Sequence, residues 1–426
     1  MVLVYNILLA LAFPVILAIL LAKKRCRPGL RQRLGWVPPS VASEWGDGRT
    51  IWLHAVSMGE AAAAVPLVQQ VKARYPDCRM IVSTVTETGR ETVLRQLKGQ
   101  AGHLYFPLDY PCAVRSVLDA IRPRLILIVE TELWPNFLRE AAAREIPVIL
   151  ANGRLATNSF AGYYRLRAFF RPVLSAFTCC AMQTDRDVER VIALGALPER
   201  VVRTGNIKYD QVVALTQAAG KRLSRGDLGL TDGEELFVAG STHPGEEEAV
   251  LDCYRRLLTV APACVLVLAP RHSERAEAVC VAARGRGFEA FRRTSLSTLS
   301  TPLSGPRVIV LDTRGELASL YREATLTFVG GSLVDVGGHN PLEPAAWGKA
   351  VVFGPHMDHF AEVADQLIRQ GAGIQVRDAG EMAEAMTALL RDRAMLDERG
   401  KAAAQLVLEN QGAVARTMDV IARVLG

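Results

Sequence analysis

The sequence predicts an α/β protein: two doubly wound, Rossmann-like domains facing a cleft, preceded by a membrane-anchor helix. Three observations predict it. The chain has 426 residues, half of them apolar, enough for two separate cores. Short apolar runs alternate with longer amphipathic ones from residue 50 onward, as parallel strands joined by crossover helices do. An unbroken apolar stretch opens the chain.

That stretch, Val2–Ala22, holds no charged side chain and is interrupted only by Tyr5, Asn6 and Pro14. About 20 apolar residues cross a bilayer. The cations Lys23, Lys24, Arg25, Arg27, Arg31 and Arg33 all follow it. A cleavable signal peptide has its positive residues first. The positive-inside tendency therefore predicts a single span at residues 1–25, with everything after residue 23 on the cytoplasmic side. A buried N-terminal helix of a soluble domain is the competing reading, but such a helix does not call for a basic cluster at its end.

Strands are expected at 51–55, 80–85, 103–106, 125–130, 148–151 and 178–182, then at 236–239, 264–268, 308–311, 326–329 and 351–353. The stretch 210–233 between the two series, polar and ending in glycine, reads as an interdomain connection. This gives domains at 26–215 and 216–426. The tail from Glu381 reads as two helices, the second returning across the domain junction.

Composition narrows the function. A net charge of +6, from 50 Lys and Arg against 44 Asp and Glu, is too small for a dedicated nucleic-acid binder and suits an anionic membrane surface. The eight cysteines form no Cys-x-x-Cys pair and read as reduced thiols of a cytosolic compartment. Cys179 and Cys180 lie in an apolar run that reads as a buried strand. No phosphate-binding NTPase loop and no Gly-x-Gly-x-x-Gly after the first strand is present. Asp185-Arg186-Asp187 has the spacing of a metal-binding pair but begins a helix and reads as capping, so no metal is expected.

Ligands of doubly wound sheets bind at the carboxyl ends of the strands, so the loops there hold the candidate site. The first is His54-Ala55-Val56-Ser57-Met58-Gly59-Glu60. It places Glu60 at a helix start, where backbone N–H groups and the helix dipole favour an ionised carboxylate able to accept a proton. An ordinary helix-start carboxylate has the same pattern. Glu130, in Glu130-Thr131-Glu132-Leu133-Trp134-Pro135-Asn136, ends an apolar strand and needs a cation nearby. Lys208, in Thr204-Gly205-Asn206-Ile207-Lys208-Tyr209-Asp210, is in reach, for a structural ion pair or a functional one.

In the second series, Gly240-Ser241-Thr242-His243 and Pro270-Arg271-His272 bring small or cationic groups to strand ends, where a phosphate fits. Gly315-Glu316-Leu317 opens a helix with free N–H groups. Gly330-Gly331-Ser332 and Gly337-Gly338-His339-Asn340-Pro341-Leu342-Glu343-Pro344 let a backbone approach a ligand, with Glu343 placed for ribose hydroxyls. Tight turns alone are the plainer reading of these glycines. The segment from Tyr163 to Arg171 mixes cations and aromatics; it reads as an amphipathic helix with aromatics in the core, or as a membrane or acceptor surface.

Together the motifs at 54–60, 130–136, 205–210, 269–272 and 337–343 resemble the bacterial 3-deoxy-D-manno-octulosonic acid (Kdo) transferases specific for lipid A, along essentially the whole chain. The resemblance implies a GT-B glycosyltransferase fold and an inverting, metal-independent transfer with no cofactor. It implies CMP-β-Kdo as donor and a lipid A precursor (lipid IVA) as acceptor, in lipopolysaccharide core biosynthesis at the bacterial inner membrane. It makes 26–215 the acceptor domain and 216–426 the donor domain. It makes Glu60 the base, with Glu130 and Lys208 supporting the transition state. Arg271, His272, Gly315, Glu316, Leu317, Asn340, Pro341, Leu342 and Glu343 would hold CMP. The alternatives are another GT-B nucleotide-sugar enzyme, such as a heptosyltransferase or an epimerase, and a non-catalytic membrane-tethered binder of the same fold. Donor preference separates the first. Indifference to Glu60→Gln would mark the second.

Overall fold

The computed structural model describes residues 2–23, 27–217, 223–298 and 305–426. Lys24 and Arg25 of the basic boundary, and 218–222 of the expected connection, lie outside them. Contacts divide the chain into two units, Met1–Gln211 with Gln411–Gly426, and Val212–Asn410.

The first unit holds strands β1 (Thr50–His54), β2 (Arg79–Thr84), β3 (Gly102–Tyr105), β4 (Leu125–Val129), β5 (Val148–Gly153), β6 (Cys179–Met182) and β7 (Val201–Arg203). They form one parallel sheet in the order β3-β2-β1-β4-β5-β6-β7, with Ile51 opposite Met80 on one side and Leu125 on the other. Every residue of β1 and β4 is buried. That explains their unbroken apolar runs, because helices cover both faces of such a sheet. One face packs on helix Met58–Arg74 through Leu67, Val68 and Val71, the other on Pro111–Ile121 through Val114, Val117 and Ile121.

The second unit holds β8 (Leu236–Thr242), β9 (Val265–Pro270), β10 (Glu289–Arg292), β11 (Arg307–Val310), β12 (Leu326–Val329), β13 (Val351–Phe353) and β14 (Gly373–Gln375). Its parallel sheet runs β10-β11-β9-β8-β12-β13-β14. Cys179 and Cys180 lie in β6, and burial pushes their thiols up to about 11 and about 12, so neither is a reactive thiolate.

The tail differs from expectation. It contains three helices, Ala379–Arg391, Arg393–Glu409 and Ala413–Leu425, where two were expected, because the Asp392 carboxylate accepts the Met395 N–H and starts a helix of its own. The last helix returns to the first unit, as expected of the tail, and packs against Met58–Arg74, where Val414, Met418 and Ile421 join the core; the second domain therefore does not reach 426. Asp210 fixes its start, accepting the N–H groups of Gly412 at 2.8 Å and Val414 at 3.1 Å. Val2–Ala22 is one helix with a mean hydropathy of 2.6, long and apolar enough to cross a membrane.

Both sheets reverse direction beside their first strand. β1 lies between β2 and β4, and β8 between β9 and β12. Loops leaving the two strands of such a pair diverge and open a crevice. The loop after β1 leads into the helix start that bears Glu60, the loop after β4 begins with Glu130, and those after β8 and β12 carry His243 and the glycine run from Gly330.

Candidate active site

In the first unit, β1 ends on His54, which is buried and stacked on Phe106 with ring centroids 3.7 Å apart. Desolvation pushes its pKa down to about 3, so it is a neutral core histidine whose Nδ1 lies 2.9 Å from Ser83 Oγ. Ser57 then caps helix Met58–Arg74. Its hydroxyl donates to Glu60 Oε1 at 3.0 Å, and the Val56 N–H donates to Oε2 at 2.6 Å. Glu60 is folded back over the helix start in the manner of a capping box.

The helix start does not leave Glu60 with the easily ionised carboxylate expected of it. Burial raises its pKa and the Glu130 charge raises it further, while the Val56 N–H, the Ser57 hydroxyl and Lys208 act the other way. A raised pKa makes the carboxylate a stronger base once ionised, which suits proton removal from a hydroxyl.

Glu130 is the first residue beyond β4 and has φ +63, a left-handed conformation that costs a side-chain-bearing residue about 1–2 kcal/mol. Lys208 Nζ stands 3.1 Å from its Oε1. The lysine is placed by two asparagines: Asn206 Oδ1 accepts the Lys208 N–H at 3.0 Å, and Asn152 Oδ1 accepts that of Ile207 at 3.1 Å. Glu132 joins them. Its carboxyl is pushed up to about 7, by burial first and by the charges of Glu60 and Glu130 in addition. The structure thus gathers Glu60, Glu130 and Lys208, and adds Glu132. The second acid of Glu-Thr-Glu was its only signal in the sequence.

The second unit presents cations and N–H groups. His243 and His339 stack with ring centroids 5.1 Å apart, and their Nε2 atoms are 2.8 Å apart, so one donates to the other. Burial first, then Arg271, holds His339 at about 3, and burial lowers His243 too. The His272 and His243 rings meet edge to face with their centroids 6.0 Å apart. Glu343 is pushed up to about 7 by burial, with Arg271 and the Asn340 side chain opposing. Arg271, His272, His339, Asn340 and Glu343 therefore share one neighbourhood. Asn340 Oδ1 accepts the Leu342 N–H at 3.1 Å, and Pro341 is the N-cap of helix Leu342–Ala346.

The Gly315–Leu317 segment reaches the end of β8 as well. A Cβ on Gly240 would meet the Tyr321 hydroxyl at 1.9 Å and Leu317 at 3.0 Å, so only glycine permits this approach. Glu316 is largely buried as the N-cap of helix Leu317–Leu320, accepts the Thr313 hydroxyl and lies 3.9 Å from Arg293. Its side chain is engaged in holding its own loop.

Sequence reasoning missed Glu246. Fully buried at the start of helix Glu246–Leu257, it accepts four backbone N–H groups: Oε2 from His243 at 2.9 Å and Gly331 at 2.6 Å, Oε1 from Ser332 and Leu333 at 2.9 Å each. It ties the loop after β8 to the glycine loop after β12. Thr184, not Asp185 or Asp187, caps helix Asp185–Leu194, accepting the Asp187 N–H; the Asp187 carboxylate in the first turn accepts the Thr184 hydroxyl at 2.6 Å and the Leu155 N–H at 2.8 Å. Among the described residues Asp335, His356 and Asp358 have ligand atoms within 4.8 Å of one another, with both aspartates exposed.

The first crevice can take a proton from a hydroxyl beside a fixed cation, and the second can hold an anion. A family model described as 3-deoxy-D-manno-octulosonic-acid transferase (kdotransferase) matches residues 28–211. The 3-deoxy-D-manno-octulosonic acid transferase of Haemophilus influenzae is 35% identical over 422 residues, 98% of this chain and 97% of that protein. That of Chlamydophila psittaci is 31% identical over 430 residues, 98% of this chain and 95% of that protein. Among solved structures, S. aureus MnaA with UDP has a TM-score of 0.59 at 16% identity, covering 88% of this chain and 97% of that one. MurG of Acinetobacter baumannii has a TM-score of 0.55 at 15% identity, covering 88% and 99%. These two show the GT-B fold.

Proposed function

The chain belongs to the family of 3-deoxy-D-manno-octulosonic acid (Kdo) transferases, and from that premise we propose that it transfers Kdo from CMP-β-Kdo to a lipid A precursor, lipid IVA, with inversion and without a metal ion. The observation that carries this reading is the set Glu60, Glu130 and Lys208 at the reversal of the first sheet.

Glu60 takes the proton of an acceptor hydroxyl as its oxygen attacks the anomeric carbon of Kdo. The bond from that carbon to the CMP phosphate oxygen breaks on the opposite side, and CMP leaves with the electron pair. Lys208, held on Glu130, offers a positive charge to the carboxylate that Kdo carries. Arg271 and the N–H groups of Gly315, Glu316 and Leu317 receive the phosphate, and Asn340 and Glu343 meet the ribose, with Pro341 and Leu342 forming the wall between them. Fixed donors of this kind stabilise the developing charge without reorganising. The N-terminal helix keeps the enzyme at the bacterial inner membrane, with its catalytic units on the cytoplasmic side, where it finds a lipid acceptor by two-dimensional search.

The test is transfer from CMP-Kdo to tetraacylated lipid IVA by the purified chain in excess EDTA. Product at an undiminished rate is expected; activity abolished by EDTA and restored by a divalent ion would refute the metal-free mechanism. Lys208→Met probes the electrostatics. Lys208 lowers the pKa of Glu60, so its loss raises that pKa, and less of the base is ionised at a given pH. The acidic limb of the kcat/KM profile should move to higher pH, with a plateau above it that lies below the wild type because the charge offered to the Kdo carboxylate is gone. An unmoved limb would show that Lys208 does not act on the base.

A further inference from the structure

The apolar N-terminal helix is not free of the protein. Residues Tyr5, Asn6, Leu9, Phe13, Ile16, Leu17 and Leu20 are each partly covered, a stripe with helical spacing that runs nearly the whole length of Val2–Ala22. The two polar side chains that interrupt the apolar run form a latch along it. The Tyr5 hydroxyl donates to Asp109 Oδ2 at 2.9 Å, and Asn6 Oδ1 accepts from Asn136 Nδ2 at 2.6 Å. Farther along, the Tyr110 hydroxyl donates to the Leu9 carbonyl at 2.9 Å, and Phe13 sets its ring against Tyr110. Beyond the helix, Gly29 lies against the Tyr105 ring, and Gln32 Oε1 accepts the Tyr105 N–H at 3.0 Å. The N-terminal half of the helix is thus fastened to the first unit, and the chain beyond the helix meets that unit again at Gly29 and Gln32.

We propose that this helix lies lengthwise along the first unit and in the plane of the membrane surface, with both ends on the same side, and that its uncovered face is bedded in an anionic bilayer. Sixteen residues of helix separate Tyr5 from Leu21, about 24 Å at 1.5 Å per residue. That is most of the roughly 30 Å of a hydrocarbon core. A crossing helix would therefore carry Tyr5 and its partners Asp109 and Asn136 to the far side. The short helix that Asn136 helps begin also bears Arg139, and Arg115 stands nearby on Glu140; both are about half exposed. Sinking each into hydrocarbon costs about 2.5–3.5 kcal/mol or more.

The bilayer is the occupant that the surface chemistry fits. The outward face is apolar throughout, from Leu3 at 73% exposure and Leu11 at 72% to Ile19 and Leu21. Exposed Arg27 and Arg31 follow it, and the Arg31 guanidinium lies 5.9 Å from the ring of half-exposed Trp36. Cations and tryptophan beside an apolar face belong at the depth of anionic headgroups. Tyr5 also touches Phe169, whose helix neighbours the exposed Tyr164 and Leu166, so the surface continues into that segment. Because Asn136 follows the Glu130–Trp134 loop by two residues, the latch also sets that loop against the membrane.

The inference rests on the membrane association proposed above and not on which sugar is transferred. A short uncharged extension carrying one cysteine is placed ahead of Met1 of the full chain, and membranes are treated with an impermeant maleimide. Cys112, exposed on the first unit, is the reference, read separately by peptide mass. Both cysteines should react in inside-out inner-membrane vesicles and neither in intact spheroplasts. Reaction of the extension in spheroplasts, or from neither face, would overturn the in-plane geometry. Recovery of the chain as a soluble dimer would assign the apolar face to a second copy, overturning the bilayer as occupant and leaving sugar transfer untouched. Absent Kdo transfer with the expected labelling would do the reverse.

Discussion

Glu60→Gln lowers kcat/KM for Kdo transfer by two or more orders of magnitude while leaving the thermal midpoint within a few degrees of the wild type. The first half follows from the loss of a general base, typically worth 10²–10⁴-fold. The second follows from the contacts: an amide oxygen still accepts the Val56 N–H, and the amide NH₂ still meets the Ser57 hydroxyl oxygen. Burial and the Glu130 charge raise the pKa of Glu60, so the wild-type acidic limb lies above that of an ordinary carboxylate. That limb should disappear in the variant. Turnover within about threefold of wild type would remove Glu60 from the role and make Glu132, poised near pH 7, the next carboxylate to replace.

The largest effect on stability is expected from Glu246→Ala. The substitution leaves the N–H groups of His243, Gly331, Ser332 and Leu333 without their acceptor, those of Gly331 and Ser332 buried and those of His243 and Leu333 partly so. An unsatisfied buried donor costs about 1–3 kcal/mol. Two such donors, with two more partly buried, should cost several kcal/mol, lower the unfolding temperature of the second unit and abolish CMP binding. Glu246→Gln keeps one oxygen for Ser332 and Leu333 but turns an NH₂ toward His243 and Gly331, so it should fall between the two. CMP affinity unchanged in Glu246→Ala would show that the glycine loop holds its shape without the carboxylate.

The strands that the sequence did not disclose share a position. β7, β10 and β14 are all edge strands of three or four residues, and each exposes part of its length. An edge strand has one neighbour and one open side, so it needs no continuous apolar run, and Glu289 and Arg292 in β10 mask the pattern. Central strands such as Leu125–Val129, buried along their whole length, were legible for the opposite reason. The site divides in a similar way. Glu60, Glu130 and Lys208 were visible as charged residues at strand ends, where a helix-start carboxylate and a structural ion pair read equally well, and the family resemblance is what singled them out. Glu246 was hidden because an acid in the first turn of a helix ordinarily complements the helix dipole, and only the fold shows that this one is buried among backbone N–H groups.

The placement of Ala413–Leu425 in the first unit bears on how the protein is made. The two sections of that unit are separated by the 199 residues of Val212–Asn410, so its core stays incomplete until Val414, Met418 and Ile421 have emerged from the ribosome. At roughly 5–20 residues per second, translating the intervening stretch takes about 10–40 s. The N-terminal helix has long since left the exit tunnel by then. The second unit can fold before the first is finished, and a nascent chain stalled near residue 410 would hold a complete second sheet while helix Met58–Arg74 still lacks its partner.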